Sequence, residues 1–228
     1  MQTVTAVAHR GDPYRFRENT TGSLRSALDR GADAVEIDVR LTRDGVPVLL
    51  HDDTLQRLWG VERPLRALSA EEVRGLTAGG VPTLAEALAA TGDSRVMVDL
   101  CGRVDRRTVE RVLDVVRQSD ARDRAYYCAG AEAMLAVRAA DPAAEIALTW
   151  TSLAPPRPAL LAAVRPRWLN YRFSLVDRGL VARVHREGCL LSVWTPDTRR
   201  AMRRLLDLGV DSITTNRIDV LHTLRAPG

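Results

Sequence analysis

The chain has 228 residues, of which 46% are hydrophobic, so it can bury a substantial core, and the disordered and fibrous classes are excluded. All 33 basic residues are arginine, which excludes Schiff-base lysines, the P-loop lysine and a lysine general base. The formal net charge of +4 is spread along the chain, so we expect no nucleic-acid partner.

Eight short apolar runs, each typical of a β-strand, alternate with longer amphipathic segments. The runs lie at 4–8, 33–39, 95–100, 125–129, 145–150, 167–171, 190–195 and 210–215. Between them apolar residues recur at helical spacing, as at Val109, Val112, Leu113 and Val116. Repeated β–α units predict a parallel sheet covered by helices, and eight of them close a (β/α)8 TIM barrel. We therefore predict an α/β barrel, as one domain over residues 1–228.

A ninth apolar run, at 46–51, does not fit the alternation. It follows the second strand after only Thr42-Arg43-Asp44-Gly45, a turn signal. So short a link permits an antiparallel hairpin but not a parallel crossover. Residues 52–82 carry no clear periodicity and are predicted to form an irregular insertion after strand 2.

Polar residues cluster where the first strands end. In a TIM barrel the active site lies at the carboxyl ends of the strands. Five such residues end strands 1, 2 and 3, and one ends the hairpin: His9, Arg10, Glu36, Asp38, Asp99 and His51. Buried carboxylates need a neutralising cation, and oxygen donors favour Mg²⁺ or Ca²⁺.

The cysteines point to a reducing compartment. Cys101, Cys128 and Cys189 are far apart and form no CxxC pair, so neither a disulfide framework nor a zinc ribbon is predicted.

The first residues lack the pattern of a signal peptide, and no apolar run approaches ~18 residues. We expect a cytoplasmic protein with no transmembrane segment. Its oligomeric state has no sequence signal.

Several separated motifs occur in a recognisable order. They are His9-Arg10-Gly11, Glu18-Asn19-Thr20, the segments 31–39 and 42–45, His51-Asp52, Val193-Trp194-Thr195 and the segment 209–216. In order and spacing they resemble the glycerophosphodiester phosphodiesterase family. Together they bracket almost the whole chain.

The resemblance implies a TIM barrel with a small insertion after strand 2 and a divalent metal ion as cofactor. It implies that the metal ligands are Glu36, Asp38 and Asp99, and that the catalytic residues are His9 and His51. By the same resemblance Arg10 binds the phosphate and Trp194 contacts the alcohol or glycerol group. Glu18 and Asn19 are expected to hold the first loop and Arg10 in place.

The implied reaction is hydrolysis of a glycerophosphodiester to glycerol 3-phosphate and an alcohol. One histidine removes a proton from the attacking oxygen and the other protonates the leaving alkoxide, and we favour His51 as the acid. The nucleophile is either the vicinal glycerol hydroxyl, which gives a cyclic phosphate, or a water molecule at the metal site.

Three departures from the family pattern leave alternatives open. Asp99 and Cys101 stand where relatives have Glu-x-Lys, and Asn216 stands where they often have Asp. One alternative is a phospholipase-D-like activity on lyso- or sphingolipid head groups, which Asp99 suggests. The other is a non-catalytic phosphate-binding barrel, because the lysine beside the phosphate is replaced by Cys101.

Overall fold

In the computed structural model, which describes residues 4–102 and 104–225, eight parallel strands close into a barrel. In chain order the strands are β1 (Thr5–His9), β2 (Ala34–Leu41), β3 (Pro47–Leu49), β4 (Thr54–Leu55), β5 (Val61–Pro64), β6 (Arg95–Leu100), β7 (Ala125–Ala129), β8 (Ile146–Trp150), β9 (Trp168–Arg172), β10 (Leu190–Trp194) and β11 (Ser212–Thr215). The barrel consists of β1, β2 and β6–β11, and the β1–β2 pairing closes it. The predicted fold class is confirmed.

Most of the helices cover the outside of the barrel. In chain order the described helices are α1 (Thr21–Asp29), α2 (Gln56–Trp59), α3 (Ala70–Leu76), α4 (Leu84–Ala90), α5 (Arg106–Gln118), α6 (Ala131–Ala140), α7 (Pro158–Val164), α8 (Arg178–Arg186), α9 (Arg199–Leu208) and α10 (Ile218–Arg225). Helix α5 buries the four residues whose spacing predicted it, and Asp105 caps its first turn. Among the described residues, no helix combines the length and apolar character that crossing a bilayer requires.

The interior of the barrel is apolar towards the amino ends of the strands and polar at their carboxyl ends. Side chains two residues apart on a strand share a face, so each strand contributes successive layers. The lower layers form one buried cluster: Val7, Ala34, Met97, Tyr126, Cys128, Ala147 and Trp168. Two residues further along β1, β2, β6 and β9, towards the carboxyl ends, stand His9, Glu36, Asp99 and Asn170. The apolar floor therefore supports a layer of polar side chains at the mouth.

The ninth run forms the expected antiparallel hairpin. Strand β3 pairs with the upper part of β2, with Val39 opposite Leu49. The following segment is more ordered than predicted, since it contains α2, α3 and the two-stranded sheet β4–β5. Its apolar residues form a separate small core with two residues of the hairpin, Val48 and Leu50, and this core also contains Leu55, Leu65, Leu68, Val73 and Val81. The insertion is thus packed against the hairpin that carries His51.

Candidate active site

A cavity of about 340 Å³ opens at the carboxyl ends of the strands. Its lining includes most of the residues singled out in the sequence: His9, Arg10, Glu36, His51, Asp99 and Trp194. Asp38 lies within the same cluster but is only 1% exposed. Glu18 and Asn19 stand behind it and contact Arg10 and Asp38. The barrel therefore gathers residues from separate strands into one site.

The hairpin explains how the two histidines meet. Strand β1 pairs with β2 only as far as His9, which stands opposite Glu36. Beyond that point β3 descends in the opposite direction along the same strand, and the N–H of Leu50 donates to the carbonyl of Asp38. The next residue, His51, is thereby returned to the cavity that His9 enters.

The carboxylates at the mouth carry more negative charge than their surroundings stabilise. Burial, together with Asp38 and Asp99, raises the pKa of Glu36 well above its usual range. Burial and the neighbouring charge of Asp38 raise the pKa of Asp99 to about 7. These groups would ionise fully only beside a cation, which is the chemistry of a metal site.

The two oxygens of Asp38 have different partners. The Nδ2 of Asn19 donates to Oδ2 over 2.7 Å, and the Nε of Arg10 forms an ion pair with the same oxygen at 2.9 Å. The other oxygen, Oδ1, accepts a hydrogen bond of 3.0 Å from the thiol of Cys101. Asn19 therefore orients Asp38 directly.

A compact set of metal-ligating atoms includes a residue that was not predicted as a ligand. Among the described residues, Asp38, Asp99 and Cys101 each offer one atom, and these atoms lie within 4.8 Å of one another. Glu36 does not belong to this compact set, and its Oε2 accepts a hydrogen bond from the N–H of Arg10.

The loop after β1 is tied to the insertion through Glu18. This carboxylate accepts hydrogen bonds from Nη1 of Arg10, at 2.9 Å, and from Nη2 of Arg57, at 2.6 Å. Arg57 belongs to α2, 39 residues away in sequence. Arg57 was not among the predicted site residues, because a surface arginine in an insertion has no local sequence signal.

His9 is oriented by hydrogen bonds from the loops that follow the neighbouring strands β11 and β10. Its Nδ1 lies 2.8 Å from Oδ1 of Asn216, and Nδ2 of Asn216 donates to Asp197 over 2.8 Å. Asp197 thus orients the Asn216 amide so that its oxygen faces the ring, and the ring nitrogen that bonds to this oxygen must be the donor. Burial and, to a lesser extent, Arg10 lower the pKa of His9 below its ordinary value. The ring is therefore neutral at neutral pH, with its lone pair on Nε2.

His51 is oriented from within the insertion. Its Nδ1 lies 2.8 Å from Oδ1 of Asp52. The Nε of Arg57 donates to the other oxygen of Asp52, and this hydrogen bond is the main reason that the pKa of Asp52 falls to about 2. The same arginine thus anchors the partners of both Arg10 and His51.

Comparison with known proteins decides the family. The sequence model of the Glycerophosphoryl diester phosphodiesterase family matches residues 9–220. The chain belongs to this family. A glycerophosphodiester phosphodiesterase of Caldanaerobacter subterraneus subsp. tengcongensis is 28% identical, over 97% of this chain and 98% of its own length.

Solved structures share the fold. A glycerophosphodiester phosphodiesterase from Thermotoga maritima superposes with a TM-score of 0.85 at 21% identity, over 98% of this chain and 99% of that one. A phosphodiesterase from Oleispira antarctica, solved in complex with the product sn-glycerol-3-phosphate, gives a TM-score of 0.85 at 24% identity, over 97% and 96% of the two chains. The cavity described above therefore lies in a barrel of the family's architecture.

At the position where the family pattern has lysine this chain has Cys101, and Arg40 lies close by, where its positive charge partly opposes the rise in the pKa of Asp99. Cys101 lines the cavity there, and burial, together with Asp38 and Asp99, raises the pKa of its thiol. Arg10 is the one arginine in the described lining of the cavity. Arg103 lies outside the described residues. The thiol is thus a neutral neighbour of the carboxylates rather than a replacement for the positive charge.

Proposed function

We propose that this family member hydrolyses glycerophosphodiesters to glycerol 3-phosphate and an alcohol by histidine acid/base catalysis. The observation that carries the proposal is the convergence of His9 and His51 on one cavity that also contains buried carboxylates and Arg10. A site that only bound phosphate would not need two histidines, each with its own orienting partner. The O. antarctica phosphodiesterase, which has the same fold, was solved with glycerol 3-phosphate bound.

The carboxylates would hold a divalent cation. Glu36 and Asp38 are buried and Asp99 is partly buried, and the raised pKa values of Glu36 and Asp99 reflect burial and mutual repulsion that a cation would relieve. The donor set therefore fits such an ion. When bound, it would offset the negative charge that grows on the phosphate oxygens in the transition state.

His9 is proposed as the general base. Its Nδ1–H is committed to Asn216, so Nε2 is the nitrogen able to accept a proton. Burial keeps the ring neutral, because it lowers the pKa of His9. The proton would come from the attacking oxygen, either the vicinal hydroxyl of the substrate or water.

His51 is proposed as the general acid. Asp52 orients the ring through Nδ1, which leaves Nε2 for the leaving alkoxide. The side chain of His51 is 44% exposed, against 20% for His9. This difference supports an orientation in which the departing alcohol lies on the open side of the cavity and the glycerol phosphate group on the buried side.

Arg10 and Trp194 would bind the substrate. The guanidinium of Arg10 is held by Glu18 and Asp38 and can offer its fork of N–H groups to a phosphate oxygen. Among the described residues, and apart from Nε of Arg10, which is ion-paired with Asp38, three buried polar atoms of the cavity lining have no hydrogen-bond partner: Oδ1 of Asn170, Nε1 of Trp194 and Oγ1 of Thr214. Such a wall suits a hydroxylated ligand such as glycerol.

Exposed apolar side chains near the mouth support a second candidate, the lipid-directed activity. Tyr14 and Phe16, in the loop after β1, are 65% and 47% exposed, and Leu153, in the loop after β8, is 68% exposed. An enzyme that acts on lysolipid head groups would use such residues to approach acyl chains. The two substrate classes are separated by assay.

The proposed function is tested by measuring the hydrolysis of defined diesters. The purified chain is incubated with glycerophosphocholine, glycerophosphoethanolamine and lysophosphatidylcholine, with Mg²⁺, Ca²⁺, Zn²⁺ or EDTA. We expect glycerol 3-phosphate from the first two substrates and loss of turnover in EDTA. Release of choline from the lysolipid alone would favour the lipid-directed activity, and no turnover with any metal would favour a binding barrel.

A further inference from the structure

Cys101 occupies a position from which its sulfur can reach a cation held by the carboxylates. It follows the last residue of β6 by one position and lies two residues after Asp99, on the same face of the chain. Its N–H donates to the carbonyl of Val39 over 3.3 Å, which holds the backbone beside β2. The side chain lines the cavity, and its Sγ lies 3.0 Å from Oδ1 of Asp38.

The three donor atoms of Asp38, Asp99 and Cys101 span a distance that one ion can bridge. They lie within 4.8 Å of one another, and metal ions such as Zn²⁺ bind sulfur at ~2.3 Å and carboxylate oxygen at ~2.0–2.2 Å. Asp38 is already oriented for this purpose. Asn19 and Arg10 occupy its Oδ2, so Oδ1 is the oxygen that faces the thiol and would face the ion.

We propose that Cys101 is itself a metal ligand, so that the site prefers a thiophilic divalent ion such as Zn²⁺ over Mg²⁺ or Ca²⁺. This inference rests on the proposed metal site and changes its donor set. Oxygen donors alone suit Mg²⁺ and Ca²⁺, whereas thiolate sulfur favours Zn²⁺ and related transition metals. On binding, the thiol proton passes to solvent and the sulfur lone pair forms the metal–sulfur bond.

The second thiol in the cavity does not compete for this role. Cys128 also lines the wall, but its Sγ contacts Thr149 and Asn170, each at 3.2 Å. It is not part of the compact donor set found among the described residues. Replacing Cys128 therefore gives a matched control in which one cavity thiol is lost and the proposed ligand is retained.

The experiment is a Co²⁺ titration of the chain after removal of metals with EDTA and desalting. A cobalt–thiolate bond gives a charge-transfer band in the near ultraviolet, which carboxylate ligands alone do not produce. We expect the band in the wild type and in Cys128→Ser, and its loss in Cys101→Ser. Zn²⁺ should displace Co²⁺ stoichiometrically, with a Zn²⁺ affinity that is at least about 10-fold weaker in Cys101→Ser.

The outcomes distinguish this inference from the proposed function. If Co²⁺ binds without the band, or if the band persists in Cys101→Ser, Cys101 is not a ligand, whatever the diester assay shows. If the band behaves as expected but no diester is hydrolysed, the ligand assignment stands and the proposed activity fails. Mg²⁺ affinity that is equal in wild type and Cys101→Ser, alongside weakened Zn²⁺ binding, would further support sulfur coordination.

Discussion

The Nδ1 of His9 lies 2.8 Å from Oδ1 of Asn216, and Asp197 orients that amide by accepting from its Nδ2 and from its backbone N–H. This relay determines which ring nitrogen of His9 is free. We expect Asn216→Ala to lower kcat by about 10-fold with little change in KM, because the ring loses its orientation rather than its contact with substrate.

The Asn216→Ala substitution should also change the pH dependence of kcat/KM. Burial lowers the pKa of His9, and the hydrogen bond that His9 donates to Asn216 partly opposes this by raising it. At saturating metal, kcat/KM should therefore rise with pH through a midpoint below 6.5, as the base loses its proton. Without Asn216 the midpoint should move to lower pH. A midpoint that does not move would argue against His9 as the base.

Removal of either proposed catalytic histidine should abolish most of the activity. We expect His9→Ala and His51→Ala to lower kcat by about 100-fold or more, while the carboxylates still bind metal. The control is His185→Ala. His185 is exposed and pairs with Asp211, the residue before β11, at the end of the barrel opposite the cavity. Near-normal turnover in either catalytic variant would contradict the proposed roles.

Asp99 should destabilise the metal-free protein above neutral pH. Its pKa is raised to about 7 in the folded chain, against 3.8 for an ordinary Asp. Between about pH 4 and 7 the folded state holds a proton that the unfolded state has released, so stability falls as pH rises through this window. In EDTA at pH 8, Asp99→Asn should raise Tm by a few degrees, since about 1 kcal/mol shifts Tm by ~2–4 °C in a chain of this size.

The gain should shrink as the pH falls towards 4 and below, where the unfolded wild type also takes up the proton. Added metal should raise the Tm of the wild type and not that of Asp99→Asn. Asp123→Asn, at an exposed position, serves as the control and should leave Tm within about 1 °C. A lower Tm for Asp99→Asn in EDTA would mean that the carboxylate stabilises the apo fold.

Arg57 should matter for activity although it lies in the insertion. It donates to both Glu18 and Asp52, which in turn hold Arg10 and His51. We expect Arg57→Ala to lower kcat/KM by about 10-fold through misplacement of these two side chains. Arg63→Ala is the control, because Arg63 pairs only with the surface residue Glu72 among the described residues, and its activity should be unchanged.

Gly11 should be necessary for the first loop. Its φ is +86°, and a Cβ there would lie 2.6 Å from the backbone carbon of Ser23. Gly11→Ala should therefore cost more than about 2 kcal/mol and lower Tm by at least ~4 °C. Gly60→Ala is the comparison, since Gly60 has a φ of +71° but no atom within 4 Å of its Cβ position, and it should cost only about 1 kcal/mol.

The sequence by itself determined the barrel, the hairpin after strand 2 and the residues at the strand ends. These follow from local rules: the period of apolar residues distinguishes strand from helix, and a short link allows only an antiparallel hairpin. The tertiary structure alone decided the partners of the site. Asp197 with Asn216, Arg57 with Glu18, and Cys101 with Asp38 are 19, 39 and 63 residues apart. Such pairs depend on how loops pack across the mouth, for which no local pattern exists. The sequence showed that Cys101 stands where relatives have lysine, but only the fold showed that its sulfur lies beside Asp38.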